Sequence, residues 1–120
     1  MFLVLPEIKE LLWQNKKEEL KKIFYDYKPI EIVEVLTEFS LKDKVFLFSL
    51  LNTDFAADIF EKMDKDEQLT LLGASDRTRK AEILDEVAPD ERVDFFEQLP
   101  EGMVLRFLSV MEEEEAQDVR

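Results

Sequence analysis

A chain of 120 residues with 29 acids against 16 lysines and arginines carries a net charge of −13, and it contains neither cysteine nor histidine. Disulfides, thiol chemistry, ordinary zinc sites and histidine-based catalysis are thereby excluded, and two glycines leave no phosphate-cradling loop, so an enzyme is not expected. The length suits one domain, residues 1–120, with its own core; the negative field disfavours nucleic acid and bare anionic membranes, and it attracts cations and basic protein surfaces.

The segment Met1-Phe2-Leu3-Val4-Leu5 is apolar, but Pro6 closes it far short of the roughly 20 residues that cross a bilayer. It also lacks the charged start of a signal peptide, which points to a soluble, intracellular chain. Residues 7–14 carry Ile8, Leu11 and Leu12 at helical spacing, and residues 16–25 carry Leu20, Ile23 and Phe24. Residues 1–27, where five acids balance five lysines, are therefore predicted to form a capping pair of helices. Trp13, Phe24, Tyr25 and Tyr27 either pack that pair or give it a sticky aromatic end.

From residue 28 to residue 111 the sequence repeats every 12 residues without a gap, in seven blocks that open at Lys28, Ser40, Asn52, Asp64, Asp76, Ala88 and Pro100. The sixth position reads Val33, Val45, Ala57, Leu69, Ala81, Val93 and Leu105, and the eighth reads Val35, Leu47, Ile59, Leu71, Ile83, Phe95 and Phe107. The ninth reads Leu36, Phe48, Phe60, Leu72, Leu84, Phe96 and Leu108, and the twelfth Phe39, Leu51, Met63, Ser75, Val87, Leu99 and Met111. All of these 28 framework positions but Ser75 are apolar, where a 46% hydrophobic composition gives about 13 by chance, so the period itself is the signal.

The i, i+3 and i, i+4 spacing of that framework is one face of an α-helix. Ser40, Asn52, Asp64 and Asp76 are good N-caps, Asp64 with Glu67 approximates a capping box, and Pro29 and Pro89 suit a first helical turn. Each block thus predicts a helix of about nine residues, only about 14 Å long and marginal alone, so the blocks must stack into an α-solenoid. Glu112 opens an eighth block that has not completed by Arg120, and residues 112–120 are expected to be an incomplete repeat of a longer chain.

The third and seventh positions of a block lie one above the other on a helix face. In the third and sixth blocks both are acidic, giving the pairs Asp54/Asp58 and Asp90/Asp94. Such pairs arise by accident in an acidic chain, where each costs a few tenths of a kcal/mol. Alternatively they form part of the oxygen shell of a hard divalent cation, which keeps water and takes one or two carboxylates. Arg77, Arg79 and Lys80 cluster at the start of the fifth block's helix, the wrong end of its dipole for cations, and read as a solvated surface or an interdomain contact. Gly73 beside Ser75 reads as a bend or a close helix approach.

The residues Lys28-Pro29-Ile30-Glu31-Ile32-Val33-Glu34-Val35-Leu36 resemble the opening "HP-x-[DE]-[IL]-A-x-[LV]-L" of the N domain of MgtE-type magnesium transporters. Ala56-Ala57-Asp58-Ile59-Phe60, Lys80-Ala81-Glu82-Ile83-Leu84 and Ala88-Pro89-Asp90-Glu91-Arg92-Val93-Asp94-Phe95-Phe96 resemble further repeats of that domain, with Lys28 in place of the usual histidine. The resemblance implies a right-handed superhelix on the cytoplasmic side of the bacterial inner membrane, joined to a pair of CBS domains and a transmembrane pore in a homodimer. It implies that Mg²⁺ bridges N-domain acids to the CBS domains and holds the pore closed, with Asp58, Asp90 and Asp94 as ligands; Asp54 is added by spacing alone. A metal-independent scaffold similar to segments of the flagellar rotor protein FliG is the alternative.

Overall fold

The computed structural model describes residues 5–118, and the side chains of residues 5–109; the Met1 to Val4 segment, the Met111 framework side chain, the acidic side chains at 112–115 and the end of the eighth block at Arg120 lie outside that range. Among the described residues the chain is all-α, nine helices with no strand. The predicted capping pair is α1 (Leu5–Trp13) and α2 (Lys17–Tyr25), which pack on each other. The blocks follow as α3 (Pro29–Leu36), α4 (Leu41–Leu50), α5 (Thr53–Glu61), α6 (Lys65–Ala74), α7 (Arg77–Glu86), α8 (Pro89–Glu97) and α9 (Glu101–Asp118). Asn15, in the turn between α1 and α2, takes a φ of 58°, the left-handed conformation that Asn tolerates and that often ends a helix.

Local chemistry fixes the boundaries. The N-caps of α3 to α8 are Lys28, Ser40, Asn52, Asp64, Asp76 and Ala88, the first residue of each block in turn. The Ser40 hydroxyl accepts the Asp43 N–H at 3.3 Å, and the Asp64 and Asp76 carboxylates accept those of Glu67 and Arg79 at 2.8 Å. At α3 the Glu31 carboxylate instead accepts the Lys28 N–H at 2.9 Å. The Asp64/Glu67 capping box is half realised, since among the described residues the Glu67 carboxyl accepts no hydrogen bond from the Asp64 backbone N–H.

The helices form two rows. Helices α3, α5, α7 and α9 pack successively, as do α2, α4 and α6, so the main neighbours of these helices are two helices away and the array is solenoid-like. The twelfth residue of every block through Leu99 is buried at its connection, including Ser75, whose hydroxyl donates to the Leu71 carbonyl at 2.8 Å. Phe95 fastens α8 to the row of α5 and α9, its ring meeting Phe60 at 5.5 Å and Phe107 at 5.6 Å, both edge to face.

The structure departs from the sequence-based expectation at three points. The sixth framework position is buried as Val33, Ala57 and Ala81, on α3, α5 and α7 of one row. It is only half-buried as Val45 and Leu69, and it is 54% exposed as Val93 and 71% exposed as Leu105, on α8 and α9. Secondly, α9 runs through Glu112 without a break, because glutamates are good helix formers and nothing there supplies an extended N-cap residue. Thirdly, Gly73 marks no close approach, for a Cβ placed there meets nothing within 4 Å.

Candidate functional site

The structure places Asp54 and Asp58 on α5 and Asp90 and Asp94 on α8, all four exposed. The two helices are locked from behind. The Tyr25 hydroxyl accepts the Asn52 N–H at 2.8 Å and the Tyr25 ring lies 4.7 Å from that of Phe55, which fixes the start of α5 from α2. Pro89 begins α8 with its preset φ, and Arg92 one turn later donates to the Asp85 and Val87 carbonyls at 3.1 and 3.4 Å, fastening α8 to the end of α7. The Phe60–Phe95 contact then ties α5 to α8.

On these supports the aspartates differ in engagement. Asp54 Oδ1 accepts the N–H of Phe55 at 2.9 Å, in the first turn where the helix dipole favours a carboxylate. Among the described residues no hydrogen bond or ion pair holds Asp58, Asp90 or Asp94. Nor do three or more acids converge there on a point where a metal ion could sit. Each i, i+4 pair therefore offers two carboxylates to an ion, whose remaining positions fall to water or to groups from elsewhere, a shell of the kind Mg²⁺ takes. Glu67 illustrates a carboxyl with different work: burial, then the adjacent Asp64 carboxylate, push its pKa up, and Lys44 opposes them.

Sequence reasoning missed the polar groups that join the rows. Arg79 is not a solvated cation but a buried one, 9% exposed. Its Nη2 donates to the Phe48 and Leu51 carbonyls at 2.7 and 2.6 Å, and its guanidinium stacks 5.3 Å from the Phe48 ring. It thus supplies positive charge to the C-terminal end of α4. Buried Gln68 does a similar service, donating to the Phe60 carbonyl at 2.8 Å at the end of α5. The available signal was the misfit itself, because a cation in the first turn of its own helix is poorly placed unless it serves another helix's end. Trp13 remains 85% exposed at the end of α1 and does not pack within the capping pair, whereas Phe24 is buried there. Among the described residues no helix is long and apolar enough to cross a membrane.

Two comparisons complete the description. The family model described as "MgtE intracellular N domain" matches residues 27–120. Comparison with curated proteins gives no match.

Proposed function

The chain belongs to the family of MgtE intracellular N domains, and from that membership we propose that it is the Mg²⁺-sensing regulatory domain of a magnesium transporter or channel, on the cytoplasmic side of a bacterial inner membrane. In this reading Asp58, Asp90 and Asp94, with Asp54 as an auxiliary, present carboxylates to Mg²⁺ ions whose other ligands come from a CBS domain pair of the same polypeptide. The observation that carries it is the pairing of exposed carboxylates on two helices tied by the Phe60–Phe95 contact, with Asp58, Asp90 and Asp94 held by no hydrogen bond or ion pair among the described residues.

The mechanism follows from electrostatics. Without the ion, the acidic face repels an acidic partner surface and the domains stay apart. With the ion between them, repulsion becomes attraction and the compact homodimer with a closed pore is favoured. The ion shifts that equilibrium only by its differential affinity for the two arrangements. Lone carboxylate pairs bind Mg²⁺ weakly, so the chain by itself responds little.

The test is small-angle scattering of this chain joined to its CBS pair, titrated with Mg²⁺. Compaction that disappears in D90A/D94A supports the assignment. Compaction that survives the double substitution, or that persists in EDTA as a metal-independent scaffold would show, overturns it.

A further inference from the structure

We propose that the pocket between α6, α7 and α9 is a docking site for a carboxylate side chain carried on an otherwise apolar protein segment. Gly73, Lys80, Met103, Arg106 and Phe107 line a space of about 140 Å³, room for one side chain and not for a nucleotide. Its charge sets it apart. The other described grooves hold acids beside their lysines: Glu38 and Asp43 with Lys9 and Lys42, Asp66 and Glu67 with Lys44, and Asp66 with Lys65. Among the described residues, the lining of this pocket holds two cations and no acid, in a chain with 29 acids against 16 bases.

Among the described residues neither Lys80 nor Arg106 has a carboxylate partner; the ammonium of Lys80 lies instead 5.8 Å from the centroid of the buried Phe107 ring. The Lys80 charge therefore stands over an apolar floor, where a hydrogen-bonded ion pair is worth more than in open water, and Arg106 lines the same pocket.

Gly73 is the second observation. It sits in the last turn of α6 and has no positive φ, and a Cβ at this position would meet no atom within 4 Å, so neither backbone nor packing requires a glycine. A glycine within a helix nonetheless costs up to about 1 kcal/mol relative to alanine. What the missing side chain does provide is an open mouth to the pocket. A polyphosphate is a poor occupant, because the net charge of −13 repels it. One glutamate or aspartate flanked by apolar residues satisfies both the cations and the Met103 and Phe107 floor. This contact needs no metal, and it stands or falls independently of the Mg²⁺ reading.

The test is backbone amide NMR of the full chain titrated with a blocked tripeptide holding one glutamate between apolar residues, with its glutamine counterpart, and with inorganic phosphate. Saturable shifts at Gly73 and Phe107 are expected with the glutamate peptide, at least tenfold weaker with the glutamine peptide and with phosphate. K80Q/R106Q should weaken binding at least tenfold with unchanged circular dichroism. G73E should abolish it by placing a carboxylate in the mouth, with G73A as the folded control. Equal binding of the glutamine peptide, binding of phosphate as tight as the peptide, unchanged binding by K80Q/R106Q, or no saturable shift each overturns the proposal.

Discussion

Arg79 on α7 donates through Nη2 to the Leu51 carbonyl at 2.6 Å, across 28 residues of sequence and from the start of one helix to the end of another. The bond couples the two rows at the connection between α4 and α5, since the same nitrogen reaches the Phe48 carbonyl and Nη1 approaches the Thr53 hydroxyl at 3.4 Å. The ion pair with half-exposed Glu82 at 3.5 Å adds little by comparison, as surface pairs do.

Replacing Arg79 should therefore cost far more than a surface charge. R79A is expected to lose about 2–3 kcal/mol of stability, because two buried carbonyls lose charge-assisted donors. R79K should recover less than half of that, since an ammonium cannot reproduce the planar fork. Urea denaturation monitored by circular dichroism gives both values; a loss within about 0.5 kcal/mol of zero for R79A, the range of a surface change, would contradict the capping role.

The aromatic hinge between the third and sixth blocks makes a second prediction. F60A and F95A should each destabilise the chain by about 3–5 kcal/mol. Their double-mutant cycle should reveal a coupling of about 0.5–1.5 kcal/mol from the edge-to-face contact. Additive losses would show that the rings pack beside each other without that specific interaction.

Glu67 predicts a pH dependence. Its folded pKa is raised above the ordinary value of 4.5, by burial first and by Asp64 second. The folded state then holds the proton more tightly than the unfolded chain, so the group favours folding most below the ordinary value, and this contribution is lost as pH rises through the raised one. E67Q should accordingly gain on the parent in melting temperature as pH rises from 4 to 7. A constant difference across that range would contradict the assignment.

Gly73 gives the simplest stability test. G73A should raise stability by about 0.5–1 kcal/mol, because the helix gains a better former and the methyl meets no neighbour. A loss measured by chemical denaturation would reveal a steric or conformational need that the fold does not display.

The proposed ion site predicts a separation of stability from response. D94N should leave the isolated chain as stable as the parent or more so by about 0.2–0.5 kcal/mol, since it relieves a like-charge pair with Asp90. In the protein joined to its CBS pair the same change should weaken Mg²⁺-dependent compaction. Thermal melts in EDTA and scattering in Mg²⁺ read the two effects apart, and a destabilised fold in EDTA would assign Asp94 to structure instead.

The sequence by itself determined the register. Helix starts depend on a residue's own side chain reaching a backbone N–H three positions on, so Ser40, Asp64 and Asp76 announced α4, α6 and α7 without help from the rest of the chain. The apolar framework announced the faces, because 3.6-residue periodicity is also local. The four aspartates could be placed on their helices for the same reason, though not related to one another across α5 and α8. Tertiary structure alone decided which row each helix joins, and hence why Ala57 is buried while its equivalent Val93 is exposed. It alone decided that Arg79 serves α4 and not its own helix, and that Lys80 meets Arg106 beside Gly73. Those outcomes depend on neighbours two or more blocks away, and a period of 12 residues repeats identically whichever neighbours arrive.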